Sequence, residues 1–180
     1  MKEESKSSGN RDIESVLFPA GVNFSVESRA QLLQQYKLLV ETSETLVSRR
    51  QGVNTFFLTF NSLVLSGIGL FAKQGLSGEL GGIGLLSLAV SGLILCLAWI
   101  KLVRSYRQLN SGKFDIINRI ERHLPAAMFE AEWHSLAEGK DDKRYRPFTK
   151  TEERIPVVFG ILYGAAAIFG TLAILGIKVT

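Results

Sequence analysis

QGVNTFFLTFNSLVLSGIGLFA, residues Gln51–Ala72, is 22 residues long and carries no charge. Two further runs share its character: LGGIGLLSLAVSGLILCLAWI at Leu80–Ile100 (21 residues) and IPVVFGILYGAAAIFGTLAILGI at Ile155–Ile177 (23 residues). At about 1.5 Å rise per residue, each spans roughly 30 Å as a helix, the thickness of a bilayer's hydrocarbon core. Helices of a soluble domain this small alternate apolar and charged faces instead. The chain therefore reads as all-α, with transmembrane helices at 51–72, 80–100 and 155–177.

Outward from these runs, the charges crowd into the remaining segments. The first 50 residues hold 7 Lys/Arg and 7 Asp/Glu, and residues 101–154 hold 12 and 9. The connection 73–79 has one charge of each sign, and the tail 178–180 has a single Lys. Positive residues flank the cytoplasmic ends of membrane spans. Arg49 and Arg50 place the N-terminus inside, and Lys101, Arg104 and Arg107 do the same for the central region. The topology is then N-in and C-out. Residues 1–27 form a disordered cytoplasmic leader, too polar to be a signal peptide. Residues 28–50 are a cytoplasmic amphipathic helix, 73–79 an external turn, 101–154 a cytoplasmic helical region and 178–180 an external tail. The lone Cys96 excludes an intramolecular disulfide. The net charge of +4 implies affinity for anionic lipid rather than direct nucleic-acid binding.

Ser28-x-x-Gln31 offers a helix start. Leu32, Leu39 and Leu46 recur every seven residues, as do Leu33, Val40 and Val47, with Tyr36 between them. This face cannot be buried by the helix alone, so it packs on the other cytoplasmic segment or on a neighbouring subunit. One long helix is expected from Ser28 to Ala72. Gly75, Gly78, Gly81 and Gly82 suggest a tight turn. The second span should continue to about Asn110, with Ser111-Gly112 interrupting it. Phe114, Ile116, Ile117 and Ile120 mark a further helix ending at Leu124-Pro125. Ala126–Glu138 reads as a short amphipathic helix with Met128, Phe129, Trp133 and Leu136 inward. Thr149-x-x-Glu152 precedes the last helix. Trp99 fits an interfacial anchor and Trp133 a core position.

Within the spans the polar residues fall in stripes. Thr55, Thr59, Ser62 and Ser66 share a face, with Asn61 beside it. Gly84, Ser87 and Ser91 form a second stripe, and Gly160, Gly164 and Ala167 a third. Small faces allow close helix packing, the reading given to the second and third stripes. For the first, two readings stay open: interhelical hydrogen bonding, or the lining of a pore shared by several copies. No ionisable acid or base lies in any span, which argues against proton-coupled transport.

Chemistry is hard to find. His123 and His134 lack partners at metal-ligand spacing, and no GxSxG, Walker A or CxxC pattern occurs. Asp141-Asp142 and Glu152-Glu153 are interleaved with Lys and Arg, as on a solvated surface. No enzyme activity, metal or cofactor is expected.

One set of scattered pieces is more specific. Trp99, SYRQLNSGKF (Ser105–Phe114), Ile120-Glu121, Leu124-Pro125, Glu132-Trp133, Gly139-Lys140, Tyr145-x-Pro147-x-Thr149 and Glu152 resemble the RipA family of small bacterial membrane proteins. Tyr36, Arg49-Arg50-Gln51 and FFLTFNS (Phe56–Ser62) extend the similarity, which covers about residues 30–165. The resemblance implies a three-span inner-membrane protein assembled as a homo-oligomeric, octameric ring. In architecture it is similar to the accessory membrane pore protein of RNA-targeting type VI CRISPR systems, which serves antiphage defence. Thr55, Thr59, Asn61, Ser62 and Ser66 are then the pore-lining candidates. Leu32, Tyr36, Leu39, Leu46, Tyr106, Phe114 and Trp133 are the candidates for cytoplasmic assembly.

Two functions follow as expectations. The first is a homo-oligomeric pore or pore-like assembly with a cytoplasmic vestibule, acting as a membrane-depolarising effector. The second is a non-conducting scaffold or sensor that docks a cytoplasmic partner or lipid through residues 101–154.

Overall fold

A computed structural model of the chain describes residues 13–19, 25–73, 79–141, 143–145 and 152–177. The architecture is all-helical: α1 (Val26–Lys73, 48 residues), α2 (Glu79–Glu121, 43 residues), the short α3 (Met128–Ser135), a 3-10 turn (Ala137–Gly139) and α4 (Arg154–Ile174, 21 residues). Among the described residues three helices, α1, α2 and α4, are long and apolar enough to cross a membrane. Only 17%, 22% and 17% of their most hydrophobic windows is buried inside the protomer. So much outward-facing Leu, Ile, Val and Phe requires an apolar solvent or a neighbour. At about 1.5 Å per residue, α1 and α2 reach roughly 30–40 Å beyond a bilayer core.

α1 and α2 run antiparallel: the contacting pairs Tyr36–Glu121, Thr42–Lys113, Asn54–Trp99 and Asn61–Cys96 advance along one helix while receding along the other. α1 buries one continuous face through Leu32, Tyr36, Ser43, Leu46, Phe57, Asn61 and Ile68. The buried α2 face keeps a seven-residue register through Gly82, Ala89, Cys96, Val103 and, two repeats on, Ile117, with Gly92, Trp99 and Ile120 each three residues beyond one of these. A repeat of 3.5 is that of helices packed side by side over a long distance.

α4 meets α2 closely because glycines remove the obstruction. A Cβ on Gly92 would lie 2.4 Å from the Tyr163 ring, and one on Gly82 would lie 2.8 Å from the Gly170 carbonyl. These are not the expected packing glycines. A Cβ on Gly84, Gly160 or Gly164 meets nothing within 4 Å, Ser87 and Ser91 are exposed, and only Ala167 joins the protomer core. Gly81 and Gly82 lie inside α2 rather than in the turn, whose residues 74–78 fall outside the described residues, as does Thr149.

Other boundaries shift for local reasons. α1 begins at Val26 because Ser25 caps it: the Ser28 amide donates to Ser25 Oγ at 3.3 Å, and the two hydroxyls lie 3.1 Å apart. Ser111-Gly112 does not interrupt α2, which is held on both sides by its packed face. α3 is shorter than the expected 126–138 helix, ending before Ala137 and Glu138, which adopt positive φ of 52° and 53°. Within the leader, residues 13–17 form a helical turn, and Leu17 and Phe18 pack against the Leu32–Tyr36–Ile117–Ile120 cluster. Apolar Leu17 and Phe18 therefore give that part of the leader something to bury. Pro156 sits in the first turn of α4, where its missing N–H is harmless.

Gly92→Ala should lower protomer stability in detergent by about 1–3 kcal/mol through overpacking against Tyr163. Gly160→Ala, facing open space, should not lower it, as read by thermal melting of the two variants.

Candidate functional site

Three polar nodes fasten the helices at successive heights. In the middle of the membrane segment, Asn61 is 0% exposed. Its Nδ2 donates to the Phe57 carbonyl at 2.8 Å, and its Oδ1 accepts the Cys96 thiol at 3.6 Å. The Asn61 carbonyl accepts the Tyr163 hydroxyl at 3.0 Å. One residue from each long helix thus meets at one level. Such contacts bind helices where lipid supplies no hydrophobic drive between them.

The second node lies at the end of the span. Asn54 Oδ1 accepts the Trp99 indole N–H at 2.9 Å, and Asn54 Nδ2 donates to the Glu152 carboxylate at 3.1 Å. Arg50 Nε lies 3.8 Å from the other Glu152 oxygen. Trp99 is 1% exposed and stacks on Phe57, with centroids 5.6 Å apart and planes at 10°. It is a core residue and not an interfacial anchor, because its N–H finds a partner inside the protein. Trp133 is the reverse case, 44% exposed against Tyr145. Its helix is too short to be enclosed, and Met128 beside it is also exposed.

The third node is extramembrane and joins Tyr36, an assembly candidate, to Glu121, which the sequence offered only among the pieces of the family resemblance. Glu121, 1% exposed, accepts the Tyr36 hydroxyl at 2.7 Å. Its two oxygens also accept the amides of Met128 and Phe129 at 3.1 Å and of Glu130 at 3.3 Å. A carboxylate from α2 thereby caps the N-terminus of α3, satisfying donors the helix leaves open. Burial, and then the hydrogen bond to Glu121, holds the Tyr36 phenol well above its ordinary value of 10.0. The spacing of Asn54 and Asn61, seven apart on the face that also carries Phe57, was the available signal for the first two nodes.

The polar stripe of α1 points elsewhere. Thr55, Thr59, Ser62 and Ser66 are all exposed in the protomer. At about 100° per residue they lie roughly 100–160° around the helix from Asn61, away from α2 and α4. Asn61 therefore separates from the pore-lining candidates; it belongs to the protomer interior. Of the assembly candidates, Leu32, Tyr36 and Leu46 are buried within one copy, and Leu39 and Phe114 pack against the same extramembrane core. Tyr106 is half-buried. They build the protomer itself. His123 packs edge-on to Phe18 at 4.4 Å and borders, with Arg29 and Arg122, a surface cavity of about 670 Å3. His134 Nδ1 lies 3.2 Å from the exposed Glu138 carboxylate. Glu138 is held below the usual carboxylate range chiefly by its hydrogen bond to Lys140.

Because the folded protein raises the Tyr36 pKa, stability drawn from the neutral phenol is complete below about pH 10 and is lost as pH climbs toward the folded value. Alkaline difference titration against Tyr36→Phe should show this phenol ionising only together with unfolding. Glu121→Ala, which leaves the α3 amides unpaired, should cost about 2–3 kcal/mol.

No curated protein and no solved structure matches the chain. A family match does cover most of it, residues 33–172, from the first turns of α1 to the last turn of α4. That span takes in all three apolar helices and the three nodes that join them. The chain thus belongs to the octameric membrane protein family (8xMP), self-associating proteins of multi-pass membrane location.

Proposed function

We propose that the chain assembles as a ring of eight copies in the bacterial inner membrane, N-terminus cytoplasmic, forming a pore or pore-like conduit. Its extramembrane helices build a cytoplasmic vestibule, and neither enzyme chemistry nor a cofactor is involved. The observation that carries this reading is the hydroxyl stripe Thr55–Thr59–Ser62–Ser66. It is exposed on the protomer and turned away from both partner helices. A small, polar face suits close approach to another copy better than lipid, so α1 lies nearest the shared axis in this reading, with its stripe in the wall of the conduit. Family membership supports the oligomer. The resemblance to the RipA family and to the accessory pore protein of RNA-targeting CRISPR systems supports a membrane-depolarising role in antiphage defence.

A second reading has its own observation. Trp133 is exposed against Tyr145, on a segment where Lys140 pairs with Glu138 and Arg144 with Asp141, an aromatic and mixed-charge surface suited to a cytoplasmic partner or lipid head groups. In that case the assembly is a scaffold or sensor.

Oligomers of the whole chain reconstituted in anionic vesicles should release a trapped dye. Dye retention by particles of verified size would replace the conduit with the scaffold. Charge reversal at Lys140, Lys143 and Arg144 should then abolish function without affecting assembly.

A further inference from the structure

α2 carries a second heptad face besides the one packed inside the protomer. Every seventh residue from Gly84 to Gly112 is small, being Gly, Ser or Ala, and four residues beyond each stands a large aliphatic: Leu88, Leu95, Leu102, Leu109 and Ile116. Leu88, Leu95, Ala98 and Ile116 are half-buried at the edge of the protomer's own core, whereas Leu102 and Leu109 stand open at 37% and 53% exposure. The face does not stop at the membrane. Past Ile100 it continues through Leu102, Ser105, Leu109, Gly112 and Ile116, while Lys101, Arg104, Arg107, Lys113 and Asp115 occupy the neighbouring positions. Lipid can cover its first half but not its second. A regular repeat crossing from lipid into water fits another long helix that makes the same crossing.

Such a helix exists in every copy. On α1, stepping alternately three and four residues from Thr45 to Gly69, each residue is Thr, Ser or Gly and each is exposed. The hydroxyl stripe above is the middle of this longer seam, which also runs beyond the span. A Cβ at Gly52 or Gly69 meets nothing within 4 Å. Thr45 and Ser66 donate to their own helix carbonyls at 3.0 and 2.8 Å, as Ser91 does on α2, so burial leaves these hydroxyls satisfied.

We infer that adjacent copies join through the small seam of α1 on one and the leucine face of α2 on the next. The contact is head-to-tail, as closure into a ring requires. Rotation about an axis along the membrane normal keeps every residue at its own height. The pairs Thr42–Lys113 and Asn54–Trp99 within a copy therefore set the register between copies. At equal heights the exposed Leu109 faces Thr45 and Leu102 faces Gly52, and the outer edges of the half-buried Leu95 and Leu88 stand level with Thr59 and Ser66. Each large residue meets a small one. The hydroxyls then lie at a joint in the wall of the ring. The inference rests on self-association and is independent of conduction.

Paired cysteines test it in the full chain in membranes. Thr45→Cys with Leu109→Cys should oxidise to a ladder of covalent oligomers, whereas each single variant, retaining the buried Cys96, should remain uncross-linked. Gly52→Leu, which fits the free protomer, should abolish the oligomer while keeping full helicity. Uncross-linked double variants from particles of full oligomeric size would overturn the inference and leave self-association standing. So would single-cysteine dimers, or full-size Gly52→Leu oligomers. A monomeric parent chain would overturn both.

Discussion

In lipid an apolar side chain is as comfortable against an acyl chain as against another helix, so burial of Leu and Ile cannot hold the spans together. What remains is close approach and hydrogen bonding. The structure uses both at the same places: Gly92 admits the Tyr163 ring, and the Tyr163 hydroxyl then reaches the Asn61 carbonyl. Tyr163 arrives at Asn61 only because Gly92 has no side chain. The remaining large apolar residues of the spans mostly face outward, as in a protein whose surroundings are apolar.

The same principle continues past the membrane in altered form. At its edge, Asn54 holds both the Trp99 indole and the Glu152 carboxylate, joining α1 and α2 to the residues that lead into α4 where lipid gives way to water. The ion pairs of Arg104 and Arg107 with Glu153 lie nearby but are exposed, and such pairs add little. Farther out, Leu32, Tyr36, Ile117 and Ile120 make a conventional hydrophobic core. Glu121 turns the chain there, accepting the hydroxyl of α1 and the amides of α3 together. The extramembrane half is thus stapled by one buried carboxylate and the membrane half by one buried amide.

Long, straight helices also divide their surfaces cleanly. The faces of α1 and α2 that meet inside the copy carry the polar nodes, and the faces left over carry hydroxyls on α1 and leucines on α2. Membership in a self-associating family gives those outer faces a physical role that a solitary protomer lacks.

The three apolar helices, the length of α1 and the all-α class were legible in the sequence, because hydropathy and the absence of charge report the solvent of a segment directly. So was the presence of a hydroxyl stripe on α1. Facing was not. Gly84, Ser87 and Ser91 look like packing residues, yet Gly82, Gly92 and Gly170 make the contacts; Trp99 looks like an anchor and Trp133 like core, and the structure exchanges them. Asn61 stands beside the hydroxyls in the chain but turns inward. Composition and period along one helix show that a face exists and how polar it is. Which neighbour that face meets depends on the rotation and crossing of a second helix distant in the chain, and only the tertiary packing decides it.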